Sequence, residues 1–460
     1  LAVETGGTIE ICNGSYTEYG SLNLGVDSAR VIRGAGAGVS ALRSGASSTT
    51  PRRALIVLDG ATNAVVDDLT LNRLDAAGFD SQRPTFQFSG SSSTNTTIQN
   101  VSVIGGSSFG GAIFADTDAS PPNGLVIQDF AASGLVRLGG SPSIIGNVLT
   151  GSGIVFRRAS LATTSEDGFD EVFIRGNDTV FENTTIGNLG QTGISGRLAF
   201  SGDNVLFSDN TIRIRSFPVR FSALQGGQST GLTIEGNIFE LASGSNRTIE
   251  IFDADGFSFA RNRLIDGGTG DSTDESIYIR GSGGSIVNNR LETFDKDIIR
   301  VEHTDNATTS LPMNIFNNTF VINSGNAADA IPFFFPFVNP APTAPVQLAN
   351  NIFVNRGDPT NDLAYSNGAR LLDFVGYNLY DNFEFPGRPV NGPNATDIVG
   401  TAGIDFTTLK LLPGSAAIDA GTAEGSALID LTEDPPVVDF EEQARPNGNA
   451  VDIGADEFYP

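Results

Sequence analysis

Phe207-Ser-Asp-Asn210-Thr-Ile212, Ile234-Glu-Gly-Asn237-Ile-Phe239, Phe259-Ala-Arg-Asn262-Arg-Leu264, Ile286-Val-Asn-Asn289-Arg-Leu291, Ile315-Phe-Asn-Asn318-Thr-Phe320 and Leu348-Ala-Asn-Asn351-Ile-Phe353 repeat one phrase: apolar, any, any, Asn, any, apolar. The asparagines are separated by 27, 25, 27, 29 and 33 residues. A period of that size, with strand-like spacing inside each unit, is the signature of a solenoid. Asparagine suits the corner of such a coil, because it tolerates a left-handed backbone and its amide bonds its own chain. Stacking the coils sets Asn210, Asn237, Asn262, Asn289, Asn318 and Asn351 above one another, so that their amides form a ladder along the axis. These asparagines are read as structural.

The chain has 460 residues, but a repeat protein escapes the usual domain-size limit, since each unit packs only on its neighbours. Its 55 glycines and its low charged fraction of 17% describe short strands joined by tight turns. Around each Asn phrase lies a second strand upstream: Val219-Arg-Phe221, Ile249-Glu-Ile251, Ile277-Tyr-Ile279 and Ile299-Arg-Val301. Alternation turns their aliphatic residues inward. The expected fold is all-β, a right-handed parallel β-helix of roughly ten to thirteen coils.

A formal charge of −26 and a pI near 4.2 repel phosphate and argue against a nucleic-acid partner. An acidic surface with only two lysines, Lys296 and Lys410, suits salty surroundings or cation binding, and composition does not separate the two. One cysteine, Cys12, excludes an internal disulfide, and one histidine, His303, leaves no Cys/His grouping for zinc. No apolar run is long enough for a membrane span. The chain opens at Leu1, which is read as the removal of an upstream segment such as a signal peptide.

The N-terminal residues Gly6-Gly-Thr-Ile, Gly14-Ser-Tyr16 and Val31-Ile-Arg-Gly34-Ala-Gly36 resemble the first coils of pectin-lyase-like right-handed parallel β-helices. Towards the other end come Gly376-Tyr-Asn-Leu379, Leu411-Leu-Pro-Gly-Ser-Ala-Ala-Ile-Asp-Ala-Gly421, Ala444-Arg-Pro446 and Val451-Asp-Ile-Gly-Ala-Asp-Glu457. In this order they are similar to the tail of bacterial secreted β-helix proteins of the choice-of-anchor type, with Ala416 where that family usually has proline. The resemblance implies a protein secreted or displayed on a bacterial surface. The expected organisation is an N-terminal cap with first coils over 1–53, a solenoid over 54–358, and a capping region over 359–460 that closes the open end of the stack. The Pro/Phe-rich insertion at 330–345 holds Phe333, Phe334, Phe335 and Phe337. Its prolines are read as excluding it from a central strand, leaving either a lid on its own rod or a self-association patch.

Pectin-lyase-like folds host polysaccharide lyases and hydrolases, so catalytic phrases matter. The Asn-Thr-Asp, Gly-His-Gly and Arg-Ile-Lys phrases of polygalacturonase-type hydrolases are absent, although Asp67-Asp68 is a carboxylate pair. The best constellation comes from stacking Ile249 and Ile251 on Ile277 and Ile279, then on Ile299 and Val301. That aligns Glu250, Tyr278 and Arg300 in one outward column and Phe252, Arg280 and Glu302 in another, with His303 and Lys296 at the coil ends. Arg137, Arg157 and Arg220 would extend it as a basic stripe, a seat for an acidic sugar polymer. Opposite charges on adjacent strands also pair without any ligand, and that reading is preferred. No cofactor is indicated. Structural calcium is conceivable at Asp253-Ala-Asp255 or along Asp266, Asp271, Asp274 and Glu275, but neither has a known calcium-loop spacing, and solvated loops fit better. The preferred function is a structural or adhesive rod that self-associates or meets extracellular polysaccharide. The alternative is a lyase or hydrolase on an acidic polysaccharide, and a third reading is a calcium-dependent surface layer.

Overall fold

The computed structural model describes residues 6–18, 22–25, 30–44, 55–72, 85–89, 93–104, 114–116, 122–133, 149–162, 172–187, 198–214, 218–223, 229–241, 248–267, 275–294, 297–302, 313–323, 333–335, 346–357, 364–366, 372–383, 395–422 and 437–460. Among them no helix occurs, and therefore none able to cross a membrane. The fold is a right-handed parallel β-helix. The chain divides into two compact units, Leu1–Phe217 and Pro218–Pro460.

In the first unit each coil offers up to three strands. The first column stacks Thr8–Ile11, Val31–Gly34, Val65–Asn72, Thr97–Ile104, Val126–Ser133, Val155–Ala162, Val180–Glu182 and Leu206–Ser208 by consecutive parallel pairing. A left-handed residue, Asp68, Asn100, Asp129, Arg158, Asn183 or Asp209, turns the chain into the second column. The third column holds strands such as Leu22–Gly25, Ile56–Asp59 and Phe86–Ser89. The bore is apolar, and Phe156, Phe181 and Phe207 stack face to face along it at 5.0 and 5.4 Å.

The second unit repeats this arrangement. Its first column contains Thr233–Glu235, parts of Ile249–Ala260 and Glu275–Val287, then Met313–Phe316, Val346–Ala349 and Leu372–Gly376. Its second contains Ile238–Leu241, Arg263–Asp266, Arg290–Phe294, Thr319–Asn323, Ile352–Asn355, Leu379–Asp381 and Ile398–Val399. Between the two columns the asparagines form the ladder. The backbone N–H and Nδ2 of each asparagine donate to Oδ1 of the next from Asn237 through Asn262, Asn289, Asn318 and Asn351 to Asn378, at 2.8–3.2 Å. In the first unit, Asn210 Oδ1 accepts from the Thr184 N–H and its Nδ2 donates to the Phe181 carbonyl.

Three expectations need correction. The left-handed residue is the one before the ladder asparagine (Gly-free examples are Arg261, Asn288, Asn317 and Asn350), so the ladder residue is freed from the turn and points its amide inward. The repeat also runs past Asn351, since Asn378 is the next rung and Asp397 Oδ1 accepts from its N–H. Finally, Phe333–Phe335 is a strand, paired with Ile299 and Arg300 on one side and Ala364–Ser366 on the other. In sequence Pro332 precedes and Pro336 follows that strand, so no proline falls within it. Phe337 lies outside the described residues, as do the side chains of Phe333, Phe334 and Phe335.

Ile398–Val399 adds to Leu379–Asp381, and the described residues of 402–417 and 438–454 meet the second column and the Asn corner of the second unit. Asn288 Nδ2 donates to Val438 O, Asn317 Nδ2 to Asp452 O, and the Gly454 N–H to Asn350 O. Ala402, Ile404, Leu409, Leu411, Ala417 and Ile453 cover Val321, Ile352, Val354 and Leu379. This explains why Thr319–Asn323 and Ile352–Asn355 are buried on both faces instead of alternating.

Candidate functional site

Strands Val219–Ser222, Ile249–Ala260, Glu275–Val287 and Asp297–Glu302 lie side by side in the third column of the second unit. Their register aligns Glu250 with Tyr278 and Arg300, and Phe252 with Arg280 and Glu302. Arg220 pairs in register with Glu250. The inward isoleucines fix this arrangement: Ile249, Ile251, Ile277, Ile279 and Ile299 are buried in the bore, so their neighbours must face out.

The outward side chains form a closed network. Arg220 donates through Nε and NH2 to Glu250 at 2.7 and 2.6 Å. Arg280 NH2 donates to both oxygens of Asp253 at 3.2 and 3.0 Å. Arg300 lies 3.8 Å from Glu275 and donates to Glu302, which also accepts from the Tyr278 hydroxyl. Phe252 is sandwiched between the guanidiniums of Arg220 and Arg280, each 4.8 Å from its centroid, and meets Tyr278 edge-on. Three guanidiniums therefore face four carboxylates, and the patch has no surplus positive charge. Glu250 and Tyr278 are buried, 4% and 6% exposed, whereas Arg220 and Arg280 keep nearly half of their side-chain surface in water.

His303, Lys296 and Arg137 lie outside the described residues. Arg157 sits on a first-column strand of the first unit and donates to Gln128 Oε1. Asp67 is likewise engaged, 3.5 Å from Arg33 and accepting from Asn100 Nδ2. Of the expected solvated acidic loops, Asp253 is bound to Arg280, while Asp266 and Glu275 are buried. Asp266 accepts from the hydroxyls of Thr248 and Ser276 at 3.1 and 2.6 Å. The two hydroxyls at Asp266, and Arg300 at 3.8 Å from Glu275, offer what water would have supplied. Asp271 and Asp274 are outside the described residues.

A second charged group was not read from the sequence. Where the C-terminal segment meets the coils, Asp439, Glu441 and Asp456 each offer an oxygen within 4.8 Å of the others. The chain brings its own cations there. Arg290 donates to both oxygens of Glu441 at 2.7 and 2.9 Å and to Asp456 at 3.0 Å, and Lys410 lies 2.8 Å from Glu441. Burial pushes the Asp456 carboxyl up to about 6, and the neighbouring Glu441 adds to the rise. Burial works against charge on Glu441 as well, but hydrogen bonds from Arg290 and Lys410 outweigh it and hold that carboxyl below its usual range. The sequence signal was the Asp-Ile-Gly-Ala-Asp-Glu phrase, whose partner Arg290 lies 166 residues from Asp456.

No protein-family model matches the chain, and no curated protein matches it in sequence. Among solved structures it is similar to the A-module of the mannuronan C-5 epimerase AlgE6 of Azotobacter vinelandii, at 13% identity over 79% of this chain and 92% of that one, with a TM-score of 0.35. It is also similar to the tailspike protein of E. coli bacteriophage HK620, at 11% identity over 86% and 71%, TM-score 0.43. A third is a family 28 exopolygalacturonase of Yersinia enterocolitica, at 10% identity over 84% and 74%, TM-score 0.24. At these values the likeness extends to coil architecture alone.

Proposed function

We propose that the chain is a non-catalytic structural or adhesive β-helix, secreted or displayed on a bacterial surface, whose coils present loops and assemble with copies of themselves. One observation carries this reading: each arginine of the best catalytic constellation is already held by an internal carboxylate. A uronate would have to displace Glu250, Asp253 or Glu302 from its guanidinium, and the patch offers it no net positive charge. Such charge ladders fix strand register and need no ligand. The competing reading, a lyase or hydrolase on an acidic polysaccharide, is favoured by the Tyr278–Glu302 contact, a pair able to pass a proton.

A depolymerisation screen on alginate, pectate and chondroitin, with unsaturated products followed in the ultraviolet and reducing ends measured in parallel, separates the two. The expected result is no turnover by the wild-type protein, with Arg280→Ala and Arg300→Ala indistinguishable from it. Turnover that falls at least a hundredfold in Arg280→Ala or Arg300→Ala would install the enzyme reading instead.

A further inference from the structure

The contact between the C-terminal segment and the Asn corner is built from more carboxylates than cations. Around Asp456 stand Asp439, Glu441, Asp452 and Glu457 from the segment itself. The cations facing them are Arg290 from the second-column strand Arg290–Phe294, and Lys410 and Arg445 from the segment. Five carboxylates thus face three cations. A further pair, Arg261–Glu442 at 3.4 Å, closes the edge, with Glu235 also on Arg261. The group is largely enclosed: Asp439, Arg445, Asp456 and Glu457 are buried, Glu441 and Lys410 reach the surface, and the ring of Phe440 covers the Arg290 guanidinium at 4.1 Å. Uncompensated charge in such a place is costly, and a proton is the simplest remedy.

We propose that this contact is a pH-responsive clasp, by which the C-terminal segment grips the coils more tightly in mildly acidic surroundings and loosens its hold as the pH rises. The geometry names the proton's place. Asp456 Oδ1 accepts from Arg290 and Oδ2 from the Leu411 N–H, and a Glu441 carboxylate oxygen stands within 4.8 Å, so a proton on Asp456 relieves the repulsion between the two carboxylates.

The direction follows from linkage. Asp456 is raised by burial to about 6, and burial also raises Asp452 and Glu457. A carboxyl raised on docking contributes stability that is full below its ordinary range and is lost as pH rises through the docked value. Glu441, which is lowered, has the opposite sign, and its contribution disappears only as pH falls below the usual carboxylate range. Across the window from about 5 to 8 Asp456 therefore decides the outcome, and the raised Asp452 and Glu457 act in the same direction.

Amide hydrogen exchange on the full chain at pH 5 and pH 8, corrected for intrinsic exchange, tests the clasp. Protection at Leu411, Phe440, Ile453 and Gly454 should fall about tenfold on going to pH 8, which is what Asp456 alone supplies when its carboxyl at about 6 stands one unit above the lower pH. Protection at Val219, Thr248 and Ser258, whose N–H groups bond within the coils, should change less than threefold. Asp456→Asn should remove most of the step. Should that variant not fold, Glu441→Gln, which deletes the neighbouring negative charge, should shrink the step. Protection of the segment that is independent of pH overturns the proposal, as does a full step retained in Asp456→Asn or Glu441→Gln.

Discussion

Asn289 shows how much one residue carries. Its Oδ1 accepts from the Asn262 N–H and Nδ2, and its own Nδ2 reaches Asn318 and the Phe259 carbonyl, all in a buried corner. Asn289→Ala strands these partners without water, and a buried unsatisfied group costs about 1–3 kcal/mol. The expected loss is about 3 kcal/mol in denaturant unfolding, and a loss below about 0.5 kcal/mol would mean the ladder is ornamental. The spacing of the asparagines was legible because the amide must recur once per coil. Their conformation was not, because the preference for left-handed backbone belongs equally to Asp, Asn and Gly, and the preceding residue took that role: Asp209, Gly236, Asn288, Asn317 and Asn350. In the first unit the left-handed residue persists at Asp68, Asn100, Asp129 and Arg158, but Leu69, Val101, Phe130 and Ala159 occupy the following position. That is why the Asn phrase is silent over much of the first unit although the coils are present.

At the scale of the strand, alternation told inward from outward well enough to place Glu250, Tyr278 and Arg300 in one row, and Phe252, Arg280 and Glu302 in the other. The sequence could not say that Asp253 and Glu275 would complete the charge balance, since neither stands in those rows. Nor could it show that Thr319–Asn323 and Ile352–Asn355 would be covered from outside, because the covering residues lie far along the chain. Two substitutions separate the faces of one strand. Phe353 stacks between Phe320 and Tyr380 at 5.1 and 5.3 Å, so Phe353→Ala is expected to cost roughly 3–5 kcal/mol in global unfolding. Val354 faces the C-terminal segment, and Val354→Asp places a charge beneath it. Exchange should then accelerate at Gly454 and Leu411 first, ahead of the coil amides. Equal acceleration everywhere would contradict the outside covering.

For the whole molecule, the tail phrases pointed to a C-terminal cap. Its lie along the Asn corner was illegible, because it depends on pairs such as Arg263 with Thr407 O and Arg445 with Asn288, each more than 140 residues apart. Deleting 395–460 uncovers Val321, Ile352, Val354 and Leu379, and apolar surface of that kind promotes association. The truncated chain is expected to aggregate in light scattering at concentrations where the full chain stays dispersed. Equal dispersal of the two would show that the covering is dispensable.

Everything rests on coils stacked one above another with their corners in line. In the first unit, pulsed electron–electron resonance between spin labels at positions 68 and 183, and at 68 and 209, with Cys12 replaced by Ser, measures that directly. These positions are four and five coil steps apart, and at about 4.8 Å per step the backbone separations should be about 19 and 24 Å. Separations that fail to grow by about one strand spacing per coil would contradict the stacked corner, and with it the faces on which the proposed function depends.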